Sequence, residues 1–174
     1  EELAGHPLNI DSPKQLAELL FRDVAQAASS DRVGSAELGN SLLQKFMVEK
    51  VGASAQDVYA ADGSGLATLD RVTARSLVQF LSHSHRASWS ADFHASLPVA
   101  GESELLRHRM RSTPAHGNLH AKTGTTNDVS ALAGYVTAKN GEIIAFSYIY
   151  NGRDRWNARE AIDVSGATLA AFAR

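Results

Sequence analysis

The sequence predicts an α+β fold, an antiparallel sheet covered by helices. Three observations point there. Apolar residues recur at helical spacing in the first half of the chain. From Gly117 the period changes to two, and three strand-like segments follow one another. The last stretch, "RDRWNAREAIDVSGATLAAFAR", returns to a helical pattern. At 174 residues the chain is long enough for one domain with a real core.

The elements can be read in order. "SPKQLAELLFRDVAQAA" predicts a helix with a stripe of Leu16, Leu19, Leu20 and Val24. Ser12 is its expected N-cap, Pro13 its first residue and Gln15 the partner in a capping box. After the loop "SSDRVGS", "AELGNSLLQKFMVEKVG" predicts a second helix. Leu42, Leu43, Phe46 and Met47 lie on one side of it, and Gly52 is the stop. "DVYAADGSGLATLDRVTARSLVQFLSHS" reads as a short strand, a tight turn and a helix, with Asp62-Gly63 and Ser64-Gly65 as turn dipeptides. "RASWSADFHASLPVAG" holds a short helix ending before Pro98, and "SELLRHRM" another short helix or turn. "NLHAKTGT", "SALAGYVTA" and "EIIAFSYIY" are the three strands, the last two joined by Lys139-Asn140-Gly141, whose Asn-Gly step favours a hairpin.

Composition excludes several functions. The formal net charge is −2, so no basic field awaits nucleic acid or an anionic membrane. Arg107, Arg109 and Arg111 form too short a run for nucleic-acid binding and lack interleaved aromatics, so a solvated face is expected. No apolar run is long enough to span a bilayer. The absence of Cys removes thiol catalysis and Cys-based metal sites. His83, His85, His94, His108, His116 and His120 form no HExxH pattern, and no metal site is expected. The opening "EELAGHPLNID" is not a signal peptide. Its start without Met favours a leader that has been removed or is missing.

The chemistry-bearing motif is Lys122-Thr123-Gly124-Thr125, at the end of the first strand of the meander. An edge strand there would offer backbone groups to an extended peptide. Lys122 adds a positive charge, Thr123 and Thr125 add hydroxyls for a carboxylate, and Gly124 lets a ligand approach the backbone. His120 shares a strand face with Lys122. The combination suits an acyl-peptide with a free C-terminal carboxylate; a solvated turn is the plain alternative.

"DGSGL" at 62–66, "SLPVAG" at 96–101, "RMRSTPAHGNLHAKTGT" and "VSALAGYVT" occur in this order. Together they resemble the D-alanyl-D-alanine carboxypeptidase/endopeptidase family of low-molecular-mass penicillin-binding proteins, over nearly the whole chain. The superfamily uses three boxes: Ser-x-x-Lys, Ser-x-Asn and Lys-Thr-Gly. The resemblance implies the C-terminal part of a penicillin-binding-protein/serine β-lactamase-like transpeptidase domain. Lys122 would act in catalysis, and Thr123, Gly124 and Thr125 would bind substrate. Alignment on Ala17-Glu18 puts Ser12 at the serine of the second box, a proton-relay position that N-capping also explains. Lys14 falls at the substrate-binding asparagine, a departure, because Lys only donates where Asn also accepts.

The first box is absent: three residues before Lys14, Lys45, Lys50, Lys122 and Lys139 stand Asp11, Leu42, Met47, Leu119 and Val136. Ser64 is no substitute, since Asp62 breaks the GxSxG pattern and a packing turn is expected. Residues 1–174 are therefore expected to be the C-terminal part of a DD-peptidase whose Ser-x-x-Lys part lies upstream. The implied partners are that N-terminal part, a peptidoglycan stem peptide ending in D-Ala-D-Ala, and β-lactams as inhibitors. No cofactor is implied, and the implied location is periplasmic or otherwise extracytoplasmic. Two other classes compete: a non-catalytic peptidoglycan- or protein-binding module, and a β-lactamase-type hydrolase.

Overall fold

A computed structural model describes residues 2–3, 6–7 and 12–173. Two compact units are present, residues 1–76 and residues 77–174.

In the first unit, β1 (Glu2–Leu3) and β2 (His6–Pro7) pair antiparallel. Helix α1 runs Pro13–Ala28, and Ser12 Oγ accepts the Gln15 N–H at 3.4 Å as its cap. Helix α2 spans Ala36–Phe46, capped by Ser35 Oγ on the Leu38 N–H at 3.1 Å. One wider turn over Met47–Val51 continues it, and Gly52 at φ +79° closes it. Strands β3 (Val58–Tyr59) and β4 (Arg71–Val72) form a small hairpin, and the second of these was not anticipated. Gln44 Nε2 donates to the Val58 carbonyl at 2.8 Å, and Asn40 Oδ1 accepts the Ala60 N–H at 2.9 Å. These bonds tie the hairpin to α2.

The stripe expected on α1 is displaced. Leu16, Leu20 and Val24 are 38%, 54% and 61% exposed, whereas Ala25 is buried. Phe21 is the packed residue. It fits against Gly39 of α2, where an added Cβ would come within 2.6 Å of its ring. A glycine on the facing helix sets the contact, so the packed face is the one carrying Phe21 and Ala25.

Helix α3 (Ala74–Arg86) begins in the first unit and continues into the second. There α4 (Ser90–Ala95) and a run of turns lead to β5 (His120–Thr125), β6 (Val129–Thr137) and β7 (Ile143–Asn151). The sheet order is β5-β6-β7, all antiparallel, with β6 central. The expected turn closes with the Gly141 N–H on the Ala138 carbonyl at 2.9 Å. Helix α5 covers Arg155–Ala171, capped by Asp154; Arg174, expected to belong to this helix, lies outside the described residues.

Alternation divides the sheet into two buried faces. On one, Ala121, Leu132, Val136 and Phe146 pack with Leu106, Leu119 and, from α5, Ile162 and Ala170. On the other, Tyr135, Ala133 and Ala145 pack with Leu81 of α3, Phe93 of α4 and Leu97. Arg109 was expected on a solvated face; it is 7% exposed and its guanidinium grips Asp163 of α5, with Nε–Oδ1 at 2.9 Å.

Candidate active-site strand

Strand β5 is an edge strand, as its sequence suggested. Its start is covered: the Ala100 N–H bonds Leu119 O and the Ala121 N–H bonds Pro98 O, both at 2.9 Å. Because the Ala121 amide points outward, antiparallel alternation turns the backbone groups of Thr123 and Thr125 outward too. Residues 98–100 pair beside the start of β5, and among the described residues of this unit no strand pairs with the edge at Thr123–Thr125.

The side chains divide between the two faces. Ala121, Thr123 and Thr125 are on the α5 side, and His120, Lys122 and Gly124 on the α3–α4 side. Lys122 is exposed, and its ammonium folds over the outward edge to donate to the Thr123 carbonyl at 2.9 Å. The Lys122 ammonium and the outward amides of Thr123 and Thr125 thus share one short edge, with the two threonine side chains on its α5 side. That is a template for an extended peptide carrying negative charge.

Two residues before Lys122, His120 joins an imidazole cluster. His85 Nδ1 lies 3.2 Å from His94 Nε2, and His94 stacks on Tyr135 at 3.9 Å between ring centroids. Tyr135 stands opposite His120 in the register. Its hydroxyl donates to Leu81 O at 2.7 Å, and burial pushes its pKa to about 12. Burial, followed by the charges of His85 and His120, holds His94 below the usual imidazole range. Among the described residues no three His, Cys, Asp or Glu side chains are placed to hold a metal ion.

Ser12 and Lys14 belong to the first unit, and Lys122–Thr125 to the second. Ser12 spends acceptor capacity on the Gln15 amide, which leaves its O–H a donor. Lys14 is 54% exposed and pairs with Glu18 one turn on, at 3.7 Å. The "DGSGL" turn packs on α1: a Cβ on Gly63 would come within 2.5 Å of Phe21. Ser64 donates its hydroxyl to Asp62 at 2.7 Å and accepts the Leu66 N–H at 3.1 Å, so it serves the turn. The Ser64 hydroxyl, with its backbone N–H at 2.8 Å and a smaller pull from the Lys14 charge, outweighs burial and lowers the Asp62 pKa.

The fold has counterparts in solved structures. Penicillin-binding protein 4 of Haemophilus influenzae, solved with a β-lactam, superposes with a TM-score of 0.71 at 28% identity, over 90% of this chain and 37% of that one. The sequence model of the D-Ala-D-Ala carboxypeptidase 3 (S13) family matches residues 6–171, and the chain belongs to that family. It is 36% identical over 162 residues to a D-alanyl-D-alanine carboxypeptidase of Actinomadura sp. (strain R39), covering 90% of this chain and 29% of the relative. It is 32% identical to carboxypeptidase DacB of Mycolicibacterium smegmatis, covering 91% of this chain and 35% of the relative. The chain thus spans about a third of the length of these relatives.

Proposed function

We propose that this chain supplies the substrate-binding wall of a serine-type D-Ala-D-Ala carboxypeptidase/endopeptidase acting on peptidoglycan. The observation that carries the reading is the Lys122-Thr123-Gly124-Thr125 motif on an open sheet edge, in a chain of the S13 family. In this reading residues 1–174 are the C-terminal part of the domain, and the nucleophile stands in a Ser-x-x-Lys box elsewhere in the same protein. The stem peptide lies along β5 as an added strand.

The serine Oγ adds to the penultimate D-Ala carbonyl, and its proton passes to the departing amine. The C–N bond breaks, D-Ala leaves, and an ester links the remaining peptide to the enzyme. Water adds to the ester, releasing the shortened peptide and returning the proton to the serine. Lys122 holds the substrate carboxylate electrostatically and assists proton transfer. Thr123 and Thr125 hydroxyls bond the same carboxylate, and the outward amide of Thr125 contributes to the oxyanion hole. Ser12, whose hydroxyl proton is not used by the cap, relays protons. Neither a metal nor an organic cofactor is needed. β-Lactams react as substrate mimics, and the reaction belongs outside the cytoplasm, where peptidoglycan lies.

Lys14 favours a second reading, a non-catalytic peptidoglycan- or protein-binding module. It carries a charge, already engaged by Glu18, where the second box has an amide. Intact mass and upstream peptides of the native protein, followed by labelling with fluorescent penicillin, test both. A heavier species with Ser-x-x-Lys and a long-lived adduct supports the peptidase. Failure to acylate leaves the binding module, and rapid release of hydrolysed penicillin indicates a β-lactamase.

A further inference from the structure

Arg155, the first residue of α5, reaches the turn that follows β5. Arg155 donates from Nη1 to the carbonyl of Thr126, the residue directly after the Lys-Thr-Gly-Thr run, at 3.4 Å. That turn is held in place. The Thr126 N–H bonds Val129 O at 3.0 Å, and the Gly152 N–H bonds Asp128 O at 2.7 Å. The neighbouring carboxylate of Asp154 is occupied by Asn157, at 3.3 Å from its N–H and 2.7 Å from its Nδ2. Arg155 takes part in no ion pair among the described residues. A guanidinium has five N–H donors, so the bond to Thr126 uses a fraction of its capacity.

The face matters as much as the distance. Helix α5 packs on the side of the sheet that carries Ala121, Thr123 and Thr125. Both threonine hydroxyls therefore lie on the side of Arg155, at the end of β5 that its guanidinium reaches. Lys122 projects from the opposite face, and its ammonium touches the edge through the Thr123 carbonyl. A carboxylate bound by the two hydroxyls is offered a planar, two-pronged partner by Arg155 and a point charge by Lys122.

We propose that Arg155 is a substrate-binding residue that grips the terminal carboxylate of the peptide together with Thr123 and Thr125. Lys122, from the other face, adds its point charge to the same carboxylate and assists proton transfer. The proposal rests on the DD-peptidase reading. It makes Arg155 the determinant of preference for a free carboxylate at the peptide end.

The test compares the native protein containing this chain with its R155Q and R155K forms. The substrates are a peptide ending in D-Ala-D-Ala and the same peptide with its C-terminus amidated. Thermal melts confirm that the variants fold. R155Q is expected to lower kcat/KM for the free acid by roughly ten- to hundredfold, the size of a lost charge-assisted bond, and to leave the amide nearly unchanged. R155K should restore part of the loss. Equal loss on acid and amide, or no loss on either, would overturn the assignment and leave Arg155 as a brace for the turn. If the wild-type protein cleaves neither peptide and takes up no penicillin, the DD-peptidase reading falls and the assignment falls with it.

Discussion

Lys122 is exposed, and among the described residues it hydrogen-bonds a carbonyl on its own strand. Removing it should therefore leave folding intact, with a stability change within about 0.5 kcal/mol as for surface substitutions. Lys122→Met should slow acylation of the native protein by fluorescent penicillin by roughly a hundredfold or more, the scale of a lost proton-transfer or electrostatic group. Unchanged acylation with an unchanged melt would remove Lys122 from the mechanism. The imidazole cluster behaves differently. His94 is held below its ordinary value in the fold, so at mildly acid pH the unfolded chain binds more protons than the folded one. Stability should be fully present above about pH 6.5 and decline as pH falls through the lowered value. Denaturant midpoints at pH 7.5 and 5.5 measure this, and His94→Phe should flatten the difference. A slope that persists in the variant would place the acid sensitivity elsewhere. His85 on α3, His120 on β5 and Tyr135 on β6 all adjoin His94, and neither the hydrogen bonds nor the charge effects there bring a carboxylate to it.

Among the elements, the "DGSGL" turn is the clearest case of local sequence made specific by packing. Gly63 has φ +77°, a conformation glycine adopts without strain, and the ring of Phe21 occupies the space a side chain would need. Gly63→Ala combines both penalties and should cost about 2–4 kcal/mol, measured by denaturant unfolding. A loss under about 1 kcal/mol would mean that turn and helix separate easily. Strand and turn assignments in the second unit were legible because they rest on local chemistry: period-two alternation for β5, β6 and β7, and Asn140-Gly141 for the hairpin. The N-cap of α1 was legible for the same reason, a Ser-Pro start. The packed side of α1 was not. Leucines lie at helical spacing on a face the first unit leaves exposed, and the deciding partner is Gly39 on another helix.

At the scale of the whole chain, the exposed apolar side chains and open edges set its behaviour in solution. Leu16, Leu20 and Val24 form one row along α1, and among the described residues of the second unit no strand pairs with the outer side of β7. Such edges and patches template association. The 174-residue chain made alone should self-associate, and sedimentation velocity should show species larger than 18.6 kDa. Replacing Leu20 and Val24 with Lys should reduce the association. A single sharp melt with a monomeric sedimentation coefficient would show that these surfaces are tolerated. Among the described residues no helix is long and apolar enough to cross a membrane.

The sequence by itself determined the elements of the meander, the N-cap of α1, the glycine stop after α2, and the Lys-Thr-Gly-Thr motif on β5. Each depends on residues within a few positions of one another, where dihedral preference and hydrogen-bonding reach act directly. Tertiary structure alone decided the rest. It buried Arg109 on Asp163, across 54 positions. It gathered His85, His94 and His120 around Tyr135 from three segments. It also set Arg155 beside the end of β5, because the turn after that strand and the start of α5 meet at one corner of the sheet. Contacts of that kind follow from which faces pack together, and no spacing along the chain encodes them.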